Sequence, residues 1–471
     1  MPTGPVRASM PLAESIPKTV TTRTASKPLQ GFSANTAAVF GAQVGRVLMA
    51  MLLEVLYARL LGPSGRGQMG LCMMANGVGV LLGGLGGEVP IMLWAADEKK
   101  HGRVWFGSVF LCGVVGSFLS VGLWVGVYWW WRPAFLRGIT PILAWLLVFS
   151  IPASVLASYF GAMLVGLNWL RERSLLLVAN QFLLLAFATI LLNVFHPRAE
   201  FAMFAIVLAS VCTILIAVRQ LRHELNLRGN WRVGLHRVAD TLRLGVRSQL
   251  GNVATFFNYR LDVFIVNYYL NTTEVGLYAL GVMISEALWQ VPNAAATALL
   301  PRTARSADAE STAFTCLVCR QVFAIACITA LFVAVLSPFL VPLIFGQRFH
   351  SSVAVIWWIL PGTVVYASAK VMSAELLGRG WPEYASIIAI LTLCLTITLD
   401  LYLVPRRGIQ GAAIASSLAY LFNSLLIAAV LKRKLGVTWR SLYLPSLSEF
   451  ALYRQIWTRF VTWLAPSLEV S

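Results

Sequence analysis

The sequence has 471 residues, 58% of them hydrophobic and 12% charged, with a formal net charge of +18. A soluble domain carries roughly 25% charged residues, so a water-soluble globule is excluded: there are too few polar side chains to cover its surface. The Lys and Arg residues lie mainly between apolar blocks, which is the pattern of membrane orientation and excludes a nucleic-acid groove.

Residues 1–32 are rich in Pro, Ser and Thr and carry Arg7, Lys18, Arg23 and Lys27. They contain no apolar core, so a disordered cytoplasmic tail is expected here, not a cleavable signal peptide. Apolar blocks of about 18 residues or more then read as bilayer spans. The expected spans are 34–61, 69–94, 105–131, 140–165, 174–195, 201–218, 246–270, 275–300, 321–345, 353–377, 385–404 and 409–431. They predict an all-α integral membrane protein of about twelve transmembrane helices. Its parts are an N-terminal six-helix lobe (33–218), a basic cytoplasmic linker (219–245), a C-terminal six-helix lobe (246–431) and a cytoplasmic tail (432–471). Within that tail, residues 442–465 carry Arg454, Trp457, Arg459 and Trp463 and read as an interfacial amphipathic helix. Most of the 37 Lys and Arg residues fall in the two tails, the linker and the other segments of the same side. Both termini are therefore expected in the cytoplasm, with Arg406 and Arg407 as the pair that runs against the rule.

The two halves read as duplicates. Leu61-Gly-Pro-Ser-Gly-Arg-Gly67 recurs as Leu270-Asn-Thr-Thr-Glu-Val-Gly276, Gly166-Leu-Asn-Trp169 as Gly378-Arg-Gly-Trp381, and Pro197 as Pro405, always in the same order. A repeat offset by six spans keeps its orientation, so the halves are expected as parallel repeats about an axis along the membrane normal. Transporters built this way place their substrate between the halves.

An ionised side chain at mid-bilayer costs about 2.5–3.5 kcal/mol on insertion scales, yet the spans contain Arg46, Glu54, Glu88, Arg260, Asp262, Glu286, Lys370 and Glu375. In the first span Gln43, Arg46, Glu54 and Tyr57 fall within about 80° of one helix face, and in the eighth Glu286, Gln290, Asn293 and Thr297 within about 60°. In the seventh, Asn252, Thr255, Tyr259 and Asp262 share one side, while Arg260 lies with Gln249 and Asn267 on another; in the tenth, Tyr366, Lys370 and Ser373 share a face. A central cavity is expected in which Arg46, Arg260 and Lys370 bind an anionic group such as phosphate, helped by Gln43, Asn252, Gln290 and Asn293. Glu54, Asp262 or Glu286 would bind a coupling proton or sodium ion. The competing reading of each charge is an ion pair that holds helices together, and for Glu88 and Glu375 it is the preferred one. Gly79, Gly83 and Gly87 read as close helix packing, Pro292 and Pro361 as kinks, and Trp129–Trp131 and Trp357–Trp358 as interfacial belts. Cys316 and Cys319 form a lone C-x-x-C without a second ligand pair, and no nucleophile–base arrangement is legible, so neither a metal, another cofactor nor an enzyme is expected.

Four segments resemble the polysaccharide-transporter branch of the multidrug/oligosaccharidyl-lipid/polysaccharide (MOP) flippase superfamily, which shares the fold of the multidrug and toxin exporters (MATE). They are Leu56-Tyr-Ala-Arg-Leu-Leu-Gly-Pro63 with Gly67; Arg260-Leu-Asp-Val-Phe-Ile-Val266 with Val275-Gly-Leu-Tyr-Ala279; Ala298-Leu-Leu-Pro301; and Pro405-Arg-Arg-Gly-Ile-Gln-Gly-Ala-Ala-Ile-Ala415. The resemblance spans about residues 32–431. It implies a multi-pass protein of the bacterial plasma membrane that moves polyprenyl-pyrophosphate-linked oligosaccharide, an O-antigen or exopolysaccharide unit, from the cytoplasmic to the outer leaflet by alternating access. Its partners would be the bilayer, the lipid-linked glycan and other polysaccharide assembly proteins, with no nucleic acid. The alternatives are a cation-coupled multidrug exporter, for which buried cations are out of place, and a membrane-embedded polysaccharide polymerase or ligase, which usually has larger outer loops.

Overall fold

The computed structural model describes residues 30–96, 103–225, 235–305 and 309–444, and among these there are helices and turns and no strand. Of the expected tail at 1–32, residues 30–32 already belong to the first helix and 1–29 lie outside the described residues, as does most of the expected interfacial helix at 442–465. The N-terminal half holds α1 (Gln30–Gly83), α2 (Glu88–Ala96), α3 (Arg103–Phe135), α4 (Pro141–Gly166), α5 (Leu170–Val194) and α6 (Ala199–Leu225). The C-terminal half holds α7 (Leu235–Tyr269), α8 (Thr272–Glu286), α9 (Gln290–Arg305), α10 (Ala309–Phe345), α11 (Ser352–Gly378) and α12 (Pro382–Leu435), followed by the short α13 (Trp439–Tyr443).

Each of the twelve expected spans is helical over most of its length, and eight helices among the described residues are long and apolar enough to cross a membrane. The chain is a multi-pass membrane protein. Its lipid-facing surface is apolar: Leu331, Phe332, Phe339 and Leu343 of α10 are all exposed. A backbone in lipid must satisfy its own hydrogen bonds, which leaves helices as the solution for spans of this length.

Boundaries differ from the sequence expectation in four places. Spans one and two, and spans eleven and twelve, are each drawn from one helical run of 54 residues, α1 and α12. A straight helix of that length would reach about 80 Å against a hydrocarbon core of about 30 Å, so each run must turn. The turns are at Gly62 (φ 67°) and Gly408 (φ 59°), left-handed positions that glycine enters without a Cβ penalty. Span two stops early. After Gly83 the segment Gly84-Leu-Gly-Gly87 leaves helical geometry, with positive φ at Leu85 and Gly86, and α2 restarts at Glu88, whose carboxylate sits at the favourable N-terminal end of the helix dipole. Span eight is broken by a 3-10 turn at Ala287–Trp289. Pro292 follows directly; it lacks an N–H, and its ring would clash with the carbonyl four residues back. Finally, α6 and α7 run deep into the expected linker, because its Arg and Leu residues are good helix formers whatever their hydropathy.

Small residues let the helices approach closely, the usual basis of helix association in membranes. A Cβ on Gly79 would meet Ile151, and one on Gly87 would meet the Tyr159 hydroxyl. Gly362 of α11 lies on the backbone of Ser417 of α12, where its N–H donates to Ser417 Oγ at 2.9 Å.

The duplication is visible in the backbone. In the turn after α4, Leu167 N donates to Met163 O, Asn168 N to Val165 O and Trp169 N to Leu164 O; after α11, Arg379 N donates to Glu375 O, Gly380 N to Leu377 O and Trp381 N to Leu376 O. Asn168 and Gly380 are both left-handed. The other duplicated turns meet each other at the seam between the halves. A Cβ on Gly67 would lie 1.7 Å from Thr272 O, and one on Gly276 would lie 1.9 Å from Pro63 O. Residues 63 and 272, like 67 and 276, are equivalent in the repeat, so the contact is symmetric in kind. Around it Ser64 Oγ lies 3.3 Å from Thr272 Oγ1, and Arg66 donates to Gly276 O at 3.0 Å. Arg59 of α1 reaches the far half, donating to Ile344 O at 2.8 Å and to Leu343 O. There its charge caps the C-terminal end of α10.

Candidate functional site

The face of α7 that carries Gln249, Arg260 and Asn267 turns toward the N-terminal half. Gln249 donates to Leu81 O at 3.1 Å and Asn267 to Arg137 O at 3.2 Å. Arg260 lies between them and holds Glu286, at the end of α8, through both guanidinium nitrogens: Nη1 to Oε1 at 3.2 Å and Nη2 to Oε2 at 2.9 Å. The pair is accessible, with side-chain exposures of 31% and 14%.

Behind it, inside the C-terminal half, lies an aromatic cage. The Lys370 ammonium of α11 sits 4.4 Å from the centre of the Trp289 ring and 5.3 Å from those of Tyr259 and Tyr366. It donates to Tyr259 Oη at 3.3 Å, and the Tyr259 and Tyr366 hydroxyls are 2.8 Å apart. Tyr420 of α12 completes the ring packing. Among the described residues no carboxylate is within ion-pair distance of Lys370, so aromatic faces stabilise this cation.

Asp262 is 3% exposed and points into the same half. One oxygen accepts from its neighbour Val263 N at 2.8 Å; the other accepts from the Tyr278 hydroxyl, with Ser416 Oγ at 3.4 Å. Asp400 of α12 is close enough to interact electrostatically with both Asp262 and Tyr278. It is fully buried, and among the described residues neither of its oxygens has a hydrogen-bond partner.

The remaining expected site residues are not gathered into one contact. Arg46 is half-buried on α1, bonded to Gln43 at 3.3 Å, with no ion pair among the described residues. Gln43 is exposed, as are Gln290 and Asn293 of α9, beyond the break that separates them from Glu286. Of that expected stripe, Glu286 alone is paired with Arg260. Asn252 is exposed and donates to Gln249 at 3.1 Å, so it sides with the seam-facing residues and away from Asp262. Glu54 is held by Arg66 at 2.9 Å, and that guanidinium also reaches α8, which makes the pair a tie between the halves.

Glu375 is structural. It is fully buried, accepts from Arg379 Nε at 2.6 Å and from Thr315 Oγ1 at 2.7 Å, and Arg379 also donates to Thr312. Breaking a buried pair leaves an uncompensated charge, so Arg379→Ala is expected to cost about 3–5 kcal/mol. Thermal unfolding of the purified variant checks this, and an unchanged melting temperature would contradict it. Cys316 and Cys319 are buried in the packing of this same region and unbonded to each other.

Several contributors, Asp400, Arg66 and Trp289 among them, are not singled out by the sequence pattern. Asp400 had a usable signal, as a lone acid in an apolar helix. Arg66 lies in the recurring Leu61–Gly67 segment between the first two expected spans, and Trp289 gives no signal separable from a buried aromatic.

The profile of the family described as polysaccharide biosynthesis protein matches residues 32–307. No curated protein matches the chain in sequence. Among solved structures it is similar to the lipid II flippase MurJ in an inward closed conformation, with a TM-score of 0.67 and 13% identity over 85% of this chain and 87% of that one. It is also similar to an inward-facing multidrug resistance MATE family transporter of the MOP superfamily, with a TM-score of 0.57 and 15% identity over 83% and 96%. A MOP superfamily transporter from Pyrococcus furiosus matches with a TM-score of 0.50 and 16% identity over 86% and 95%. At these identities the likeness shows a shared fold.

Proposed function

The chain belongs to the polysaccharide biosynthesis protein family, and on that premise we propose that it carries a polyprenyl-pyrophosphate-linked oligosaccharide from the cytoplasmic to the outer leaflet of a bacterial plasma membrane. The observation that carries the reading is the accessible guanidinium of Arg260 on the face of α7 turned toward the N-terminal half, with its partner Glu286 in electrostatic reach of the caged ammonium of Lys370 inside the C-terminal half. A guanidinium fork binds phosphate in the same bidentate geometry as carboxylate. The polyprenyl tail can stay in lipid while the charged head crosses through the polar seam, so neither desolvation of the head nor covalent chemistry is required. Arg46, Gln43, Asn252, Gln290 and Asn293 are the polar side chains that the head would meet next. With the termini in the cytoplasm, the Gly67–Gly276 contact closes the outer end, and alternation is a rocking of the halves about such contacts.

Asp262 and Asp400 are our candidate for coupling to a proton or sodium gradient. A bare carboxylate buried like Asp400 would cost several kcal/mol, which a proton or a cation shared with Asp262 removes. Glu54 and Glu286, each held by an arginine, fit that role less well. An acid pair of this kind also suits a cation-coupled exporter.

The test is leaflet distribution. Deleting the gene should leave the lipid-linked glycan inaccessible to an outside-acting glycan-modifying enzyme on spheroplasts and deplete the surface polymer. Complementation with Arg46→Ala should restore protein abundance and not transport. Glycan equally accessible with and without the protein would refute the reading, and altered sensitivity to cationic drugs alone would establish the exporter instead.

A further inference from the structure

Two arginine–glutamate pairs within the C-terminal half differ in a way that bears on their use. Arg379 and Glu375 are buried and each has a further threonine partner, so that pair is fixed. Arg260 and Glu286 are partly exposed, and Glu286 has no protein hydrogen-bond donor other than Arg260 among the described residues. Glu286 also lies within electrostatic reach of Lys370, which among the described residues has no carboxylate at ion-pair distance. One carboxylate thus acts electrostatically on two cations and occupies both arms of one of them.

The local backbone lets it move. Glu286 is the last residue of α8, and the 3-10 turn that follows contains Trp289, the aromatic closest to Lys370. A change in the Glu286 rotamer therefore needs no rearrangement of a regular helix, and the cage is three residues away along the same turn.

We propose that Glu286 is a resident substitute anion: it fills the Arg260 fork in the unloaded protein, and a phosphate or pyrophosphate group of the substrate displaces it toward Lys370. The proposal rests on the flippase reading and adds to it a reason why Arg260 is not left as an unpaired guanidinium when no substrate is bound. Displacement also keeps the charge balanced. The incoming anion takes the guanidinium, and the freed carboxylate takes the ammonium.

The full chain in nanodiscs would be titrated with farnesyl pyrophosphate and, separately, with inorganic pyrophosphate. E286Q removes the competing charge and keeps the size, so it should bind both probes on the order of tenfold tighter than the parent. Its melting temperature without probe should fall, because Arg260 has lost its partner, and inorganic pyrophosphate should raise it by more than it raises the parent's. Glu286→Asp, which keeps the charge on a shorter arm, should bind with intermediate affinity. Equal or weaker binding by E286Q, tightening with the prenyl probe alone, or a lowered melting temperature that pyrophosphate does not restore would each overturn the proposal. If the parent itself fails to bind farnesyl pyrophosphate, the flippase reading fails with it; if the parent binds and E286Q gains nothing, that reading stands and the substitute-anion role alone falls.

Discussion

Gly67→Ala is expected to prevent the two halves from meeting at the Gly67–Gly276 seam. The added methyl would lie 1.7 Å from Thr272 O, a backbone atom with no rotamer to move aside. Overpacking costs about 1–3 kcal/mol, which is roughly a 5- to 150-fold loss in the population of the closed arrangement. Because both partners belong to rigid helices in different halves, the strain is relieved by separating the halves, not by unfolding either. The measurement is a cysteine cross-link. Ser64 and Thr272 have their hydroxyl oxygens 3.3 Å apart, so Ser64→Cys with Thr272→Cys, in a background without the native cysteines, should oxidise readily to a disulfide. Adding Gly67→Ala should abolish that cross-link while leaving the protein in the membrane. Undiminished cross-linking in the triple variant would show that the seam yields without opening.

The second large effect is expected at Asp400. Asp400→Asn keeps the shape and removes the acid, so a protein that binds its coupling ion there should lose gradient-driven transport while its abundance holds. Coupling between two sites is typically about 1–3 kcal/mol, or roughly 5- to 150-fold, and the loss should fall in that range. Proteoliposomes with an imposed sodium or proton gradient separate the contributions: the variant should transport equally with and without the gradient. Asp262→Asn should act in the same direction and also leave the Tyr278 hydroxyl with a weaker acceptor. Gradient-dependent transport retained in Asp400→Asn would remove this acid from coupling.

The sequence by itself determined the membrane class, the helical stretches and the parallel repeat. Bilayer thickness and backbone hydrogen bonding leave an apolar block of that length one conformation, and a repeat preserves its turn signals. It also separated the Arg260 face of α7 from the Asp262 face, because 100° per residue is a property of the single helix. What it did not determine was which charge meets which. Glu286 shares the expected eighth-span stripe with Gln290 and Asn293, yet it is paired with Arg260 while the other two are exposed beyond the 3-10 turn. Glu54 was read as a cavity acid and is held by Arg66, whose partner depends on how the chain bends at Gly62. Asp400 and Lys370 owe their surroundings to helices far away in sequence: Asp262 is 138 residues before Asp400, and Trp289 is 81 before Lys370. A helix pattern states the direction in which a side chain points. Only the packing of one helix against another decides what it finds there.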